Sequence, residues 1–114
     1  MSRSNYADPL PDDLATLIAA IRTRMRPRAI WLFGSRARGD HRADSDWDLV
    51  VAVPDDVSDD ALDPIIGWSI GREAGISATI LAARESELAE SWGVPNTLSY
   101  ALAREGLRLD VQGA

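Results

Sequence analysis

Trp31-Leu32-Phe33-Gly34-Ser35-Arg36-Ala37-Arg38-Gly39-Asp40, followed by Ser45-Asp46-Trp47-Asp48-Leu49-Val50-Val51, is the stretch that decides the fold. Ala29 to Phe33 is a short apolar run whose aromatic and branched residues suit a buried strand. A tight glycine turn follows over 34–44, carrying a serine and two arginines. Trp47 to Val53 reads as a second strand, stopped by Pro54-Asp55-Asp56. Residues two apart on a strand project from one face, about 6.6 Å apart along the backbone. Asp46 and Asp48 therefore share a face, while Trp47, Leu49 and Val51 are expected to enter the core. Buried charges need partners, so two carboxylates cannot enter an apolar core unaided. They suit Mg2+, which takes oxygen ligands, typically one or two carboxylates together with substrate phosphates. An ordinary solvent-facing strand gives no reason for acids at both positions beside a glycine turn. Glycine at 34 permits close backbone approach or a positive φ, successive N–H groups can cradle an anion, and Ser35 adds a hydroxyl.

Two other phosphate motifs fail. Gly34 to Gly39 fits the opening G-x-x-x-x-G of a P-loop, but Asp40 and His41 stand where Lys and Ser or Thr are required. No G-x-G-x-x-G is present. His41, the only histidine, lies in a polar turn and is read as an exposed bystander rather than a base.

Outward from the motif, Pro11-Asp12-Asp13 marks a helix start, and Leu14, Leu17, Ile18, Ile21 and Met25 give it one apolar face before Pro27. A second helix is expected over 59–73, with Pro64 early in it, Leu62, Ile65, Ile66 and Ile70 inward, and Gly75 closing it. Ile76 to Ala82 reads as a third strand. Arg84 to Trp92 suits a short helix, Gly93-Val94-Pro95 breaks it, and Asn96 is expected to cap a last helix to Glu105. Leu107-Arg108-Leu109 suits an edge strand. Trp68, Trp92 and Tyr100 are expected to serve core packing more than a partner surface. Strands interleaved with helices give an α/β (α+β) class, a small mixed sheet flanked by helices. Residues 1–10 read as a loose lead-in and 11–114 as a single domain.

Composition narrows the function classes. The chain has 114 residues, 46% hydrophobic and 26% charged, as in an ordinary globular domain. It has no cysteine, which removes disulfide and zinc–thiolate chemistry. A net charge of −6, from 18 acidic and 12 basic residues, is a poor match to a nucleic-acid backbone. Neither a membrane-length apolar run nor a signal-peptide layout is seen, so a cytoplasmic location is expected.

The motif resembles the minimal nucleotidyltransferases of the DNA polymerase β-like superfamily. Their pattern is an apolar residue, Gly, Ser or Gly, a spacer of roughly ten, then Asp, apolar, Asp, apolar, and it is met by Phe33-Gly34-Ser35 and Asp46-Trp47-Asp48-Leu49. The fuller form, G-S-R-A-R-G then S-D-x-D-L, is matched nearly letter for letter. The resemblance implies a nucleotidyltransferase fold in which Gly34 and Ser35, assisted by Arg36 or Arg38, hold a nucleoside triphosphate such as ATP. Asp46 and Asp48 would be the catalytic and metal-binding pair for two Mg2+ ions, about 4 Å apart in such sites.

One part of that pattern is missing. Catalytic members place a further Asp or Glu on the third strand, within a stretch like V-D-V-V. Here residues 76–82 read ISATILA, with none acidic. Ala78 is the first choice for the matching position, with Ser77 or Thr79 if the register slips; Asp44, two before Asp46, or Glu85 would be substitutes that the pattern does not support. Three functions stay open. The first is transfer of a nucleotidyl group, AMP, to a protein acceptor, with the chain acting as antitoxin to a small helical HEPN-type partner. The second is a catalytically degenerate module that works by complex formation with such a partner or with itself. The third is a small-molecule nucleotidyltransferase, which would normally carry a further substrate domain.

Overall fold

A computed structural model describes residues 11–40 and 42–109; the expected lead-in at 1–10 and His41 lie outside the described residues. Strands β1 (Ala29–Phe33), β2 (Trp47–Val53), β3 (Ala78–Arg84) and β4 (Leu107–Leu109) form one mixed sheet in the order β3-β2-β1-β4. β1 runs antiparallel to β2 and to β4, whereas β2 and β3 are parallel. The expected class, a small mixed sheet flanked by helices, is what is found. β1 and β2 also have the bounds read from the sequence.

Parallel neighbours need a crossover connection. Here it contains a short 3-10 helix at Asp59–Leu62 and the helix α3 (Pro64–Ala74). The single helix expected over 59–73 is thus two elements. The break falls at Asp63, whose side chain accepts the Ile65 N–H at 3.0 Å, with Pro64 at the first helical position. Starting α3 there turns Ile65 outward, 53% exposed, while Ile70 is buried. Gly75 ends α3 in the left-handed conformation, φ 71°, as expected.

The third strand begins two residues later than the sequence suggested. The Ile76 N–H is used to close α3, donating to the Gly71 carbonyl at 3.0 Å. Ser77 only leads into the ladder, its carbonyl accepting from the Trp47 N–H at 3.0 Å.

Both faces of the sheet are covered. On one face α1 (Asp12–Arg24) and α3 pack Leu14, Leu17, Ile21 and Ile70 against Ile30, Leu32, Leu49, Val51 and Ile80. The other face buries Trp31, Val50 and Ala52 beneath Leu88 of α4 (Glu85–Glu90) and Leu102 of α5 (Leu98–Glu105). This two-sided burial is why β2 reads as a nearly continuous apolar run. The cap of α5 is Thr97, whose hydroxyl accepts the Tyr100 N–H at 3.2 Å; Asn96, expected in that role, instead takes a positive φ of 69°. Trp68 and Trp92 also depart from the core-packing expectation, at 55% and 36% exposed. Trp92 lies tilted against Trp31 with ring centroids 5.4 Å apart, and Tyr100 is half-buried. Among the described residues no helix is long and apolar enough to cross a membrane.

α3 meets β3 almost backbone to backbone. A Cβ at Gly67 would overlap the Ile80 carbonyl oxygen. Gly67→Ala is therefore expected to destabilise the fold by roughly 1–3 kcal/mol of overpacking, outweighing the ~1 kcal/mol that alanine adds to helix propensity. Urea unfolding checks this through a lower midpoint at unchanged slope.

Candidate nucleotide and metal site

The site is built where β1 ends beside the start of β2. Antiparallel pairing sets Phe33 opposite Asp48, so the residue after Phe33 must pass beside the Asp48 side chain. That residue is Gly34. Its φ of 77° disfavours any other residue, and a Cβ there would overlap Asp48 Oδ2. Glycine is required on both counts, and the requirement joins the two halves of the motif in space.

The turn after Gly34 contains a one-turn helix, α2 (Ser35–Arg38), where the sequence suggested only a turn. The Ala37 and Arg38 N–H groups both donate to the Gly34 carbonyl at 3.1 Å, and Gly39 ends the helix at φ 86° by donating to Ser35 at 2.9 Å. The N–H groups of Ser35 and Arg36 come first in this helix and so have no acceptor within it.

The two arginines have different surroundings. Arg36 is half-buried and turned into its own loop. Its Nε and Nη2 donate to the Ser45 carbonyl at 3.0 and 2.8 Å, Nη2 also donates to the Ala43 carbonyl at 3.1 Å, and its guanidinium carbon lies 4.0 Å from the Trp47 ring centroid. Lysine cannot reproduce this planar, forked and stacked arrangement. Arg38 is exposed and shared between Asp40, at 3.2 Å, and Glu105 of α5, at 3.5 Å. Arg36→Lys is expected to loosen the loop and cost roughly 1–2 kcal/mol in lost hydrogen bonds and stacking. Faster amide exchange at Ala43 to Ser45, with the rest of the sheet unchanged, is the corresponding readout.

Asp46 is exposed immediately before β2, and Asp48 is half-buried within it. Burial, with the charge of Asp46 as a second cause, pushes the Asp48 carboxyl above the usual carboxylate range; the Arg38 charge acts in the opposite direction. The pair is thus set against its own repulsion.

The parallel register shows what faces the pair. Asp48 is level with Thr79, while Ala78 is level with Trp47 and packs toward the α1–α3 core. Thr79, rather than the first choice Ala78, occupies the position beside Asp48, and it is exposed. Parallel pairing leaves no local trace, so only the strand's start could have shown this. The two other acids do not occupy that position. Glu85 is beyond the far end of β3, paired with Arg28 at 2.9 Å, and Asp44 is exposed in the loop that Arg36 holds. Among the described residues no group of three or more His, Cys, Asp or Glu side chains is placed to hold a metal ion.

Residues 15–66, from within α1 through β1, the turn and β2 to the first turn of α3, match the family model described as Polymerase beta, Nucleotidyltransferase. Among solved structures, the fold is similar to a chain of a crystal structure described as a toxin–antitoxin with AMP-PNP. The TM-score is 0.61 at 17% identity, over 86% of this chain and 72% of that one. No curated protein matches the sequence. The matched segment is similar to the polymerase β-like nucleotidyltransferases and holds the glycine turn and both carboxylates.

Proposed function

We propose that the chain binds a nucleoside triphosphate, ATP, together with Mg2+ and transfers its nucleotidyl group to a hydroxyl of a protein acceptor. The observation that carries this reading is the contact between Gly34 and the Asp48 carboxylate, which sets an anion-binding turn against a carboxylate pair. The Ser35 hydroxyl and the N–H groups of Ser35 and Arg36 hold the terminal phosphates. Arg36 fixes the loop that presents Asp46, and Arg38 supplies a mobile positive charge by leaving Asp40 and Glu105. Asp46 and Asp48 offer hard oxygen donors, and neither is in a salt bridge among the described residues. Two carboxylates plus phosphate oxygens are an ordinary Mg2+ donor set, so these residues fit a metal that arrives with its nucleotide better than a preformed metal cage. Bound there, Mg2+ neutralises phosphate charge and favours the deprotonated acceptor hydroxyl. The acceptor oxygen attacks the α-phosphorus as its proton passes to solvent, the bond from the α-phosphorus to the α–β bridging oxygen breaks, and pyrophosphate leaves. Positioning and charge neutralisation are most of what such a transfer needs.

Thr79 beside Asp48 favours a second reading, in which nucleotide binding is kept and turnover is lost. The chain then acts by complex formation. In either case we place it in the cytoplasm as a single domain over 11–114, as antitoxin to a small helical HEPN-type protein. The toxin–antitoxin description of its structural neighbour supports the antitoxin part of this reading. Incubation with α-labelled ATP, Mg2+ and the product of the adjacent gene tests it. Label on that product, absent with Asp46→Asn, is the expected result. No label with the native chain would leave the complex-forming reading in its place.

A further inference from the structure

A groove of about 370 Å3 leads away from the carboxylate pair, lined by Asp46, Ser77, Gly75, Gly71, Arg72 and Trp68. We propose that it is the nucleoside subsite of the nucleotide site, with the base stacked on the Trp68 indole. The inference rests on Asp46 and Asp48 being the metal–phosphate centre, and extends it to the other half of the ligand.

The order of parts is the first argument. The phosphate turn touches Asp48 through Gly34, whereas the groove is lined by Asp46 and by neither Gly34 nor Ser35. The turn adjoins the pair through Asp48 and the groove adjoins it through Asp46, so the carboxylates link the two. A ligand anchored by its terminal phosphates and aligned with the pair continues into the groove.

The lining is the second argument. Trp68 is 55% exposed, a large apolar ring left in water by a helix whose other face is packed. Arg72, one helical turn on, holds its guanidinium carbon 5.2 Å from the ring centroid, so the face of the indole is open to a flat cationic group and not covered by packing. A base is also flat, and stacking on an aromatic side chain suits any base. Arg72 is exposed on a flexible stem, free to swing aside or close over the base. Gly71 and Gly75 leave the floor without side chains: a Cβ at Gly71 would crowd the Ile76 carbonyl oxygen at 3.0 Å, and Gly75 holds φ 71°. The volume lies within the roughly 300–1,000 Å3 of small-molecule pockets. The neighbouring groove of about 220 Å3 also reaches this end of the sheet, but its only ring is the buried Trp47, already stacked under Arg36.

Calorimetric titration of the full chain with Mg·ATP and with Mg·tripolyphosphate separates the two halves of the site. Trp68→Ala is expected to weaken ATP binding about 10- to 100-fold, the range of one stacked base, and to leave tripolyphosphate binding unchanged. Trp68→Phe is expected to keep most of the ATP affinity. Both variants should unfold with native cooperativity, because the side chain is exposed. If Trp68→Ala binds ATP as tightly as the native chain while tripolyphosphate binding still depends on Asp46, the subsite is wrong and the phosphate centre stands. If the native chain binds neither ligand, both are wrong.

Discussion

Asp48→Asn is expected to weaken Mg·ATP binding by roughly 30- to 100-fold, the ~2–3 kcal/mol carried by one charged contact, and at the same time to stabilise the ligand-free fold. The two effects share one cause. Asp48 is held half-buried against Gly34 and close to Asp46, which raises its pKa above the unfolded value. A carboxylate with a raised folded pKa destabilises the fold while it is ionised, and that penalty is relieved as pH falls through the raised value. Asparagine has nearly the same shape and fits beside Gly34 without the charge. The variant should therefore melt higher than the native chain at neutral pH, and the difference should shrink in mildly acidic buffer. Metal binding follows the opposite course, since protons and Mg2+ compete for the same oxygens. Affinity for Mg·ATP should fall in the native chain as pH drops through the raised Asp48 pKa, above the ordinary carboxylate range. Melting curves and titrations over pH, side by side, check both halves. A native chain that is the more stable at neutral pH would contradict the account of the pair.

Thr79→Asp is expected to give the largest gain. The register sets position 79 level with Asp48 on the parallel neighbour, so an aspartate there faces the existing pair. It supplies the acid that the family pattern has on this strand and this chain lacks. A group that takes up the acceptor proton is worth about 10²- to 10⁴-fold in rate, and single-turnover pyrophosphate release with ATP and acceptor should rise within that range. The substitution has a cost in the absence of metal. A third carboxylate adds repulsion, and the ligand-free variant should melt lower than the native chain and regain stability with Mg·ATP. Ala78→Asp is the control, because position 78 packs toward the α1–α3 core and does not face the pair. Equal rates for both variants would show that the register does not govern catalysis.

Much of the site could be read from the sequence because its main parts lie on neighbouring segments. The bounds of β1 and β2, the carboxylates at the start of β2, and the glycine turn before them follow from apolar runs with polar or proline stops and from one demanding glycine. What escaped notice depends on distant pairing or on choices between adjacent caps. Residues 76–82 carry a strand-like apolar pattern, but Ile76 is taken by the end of α3, so the strand slips to Ala78 and its facing residue becomes Thr79. Ile65 and Trp68 look like core residues in a periodic reading, yet the start imposed by Asp63 and Pro64 turns both outward. Arg36 and Arg38 look interchangeable beside the turn. Only the fold shows that one is bound to the carbonyls of residues 43 and 45 and stacked on Trp47, while the other is shared between two exposed acids. Thr97 captures the cap of α5 from Asn96 by a single residue.

The central claim is that Gly34-Ser35 and the aspartate pair form one metal-dependent nucleotide site. Isothermal titration of ATP into the native chain, with and without Mg2+, and into Asp46→Asn tests it most directly. The account predicts binding that needs Mg2+ and is lost in the variant. ATP binding that persists without the metal and is unchanged by Asp46→Asn would contradict it.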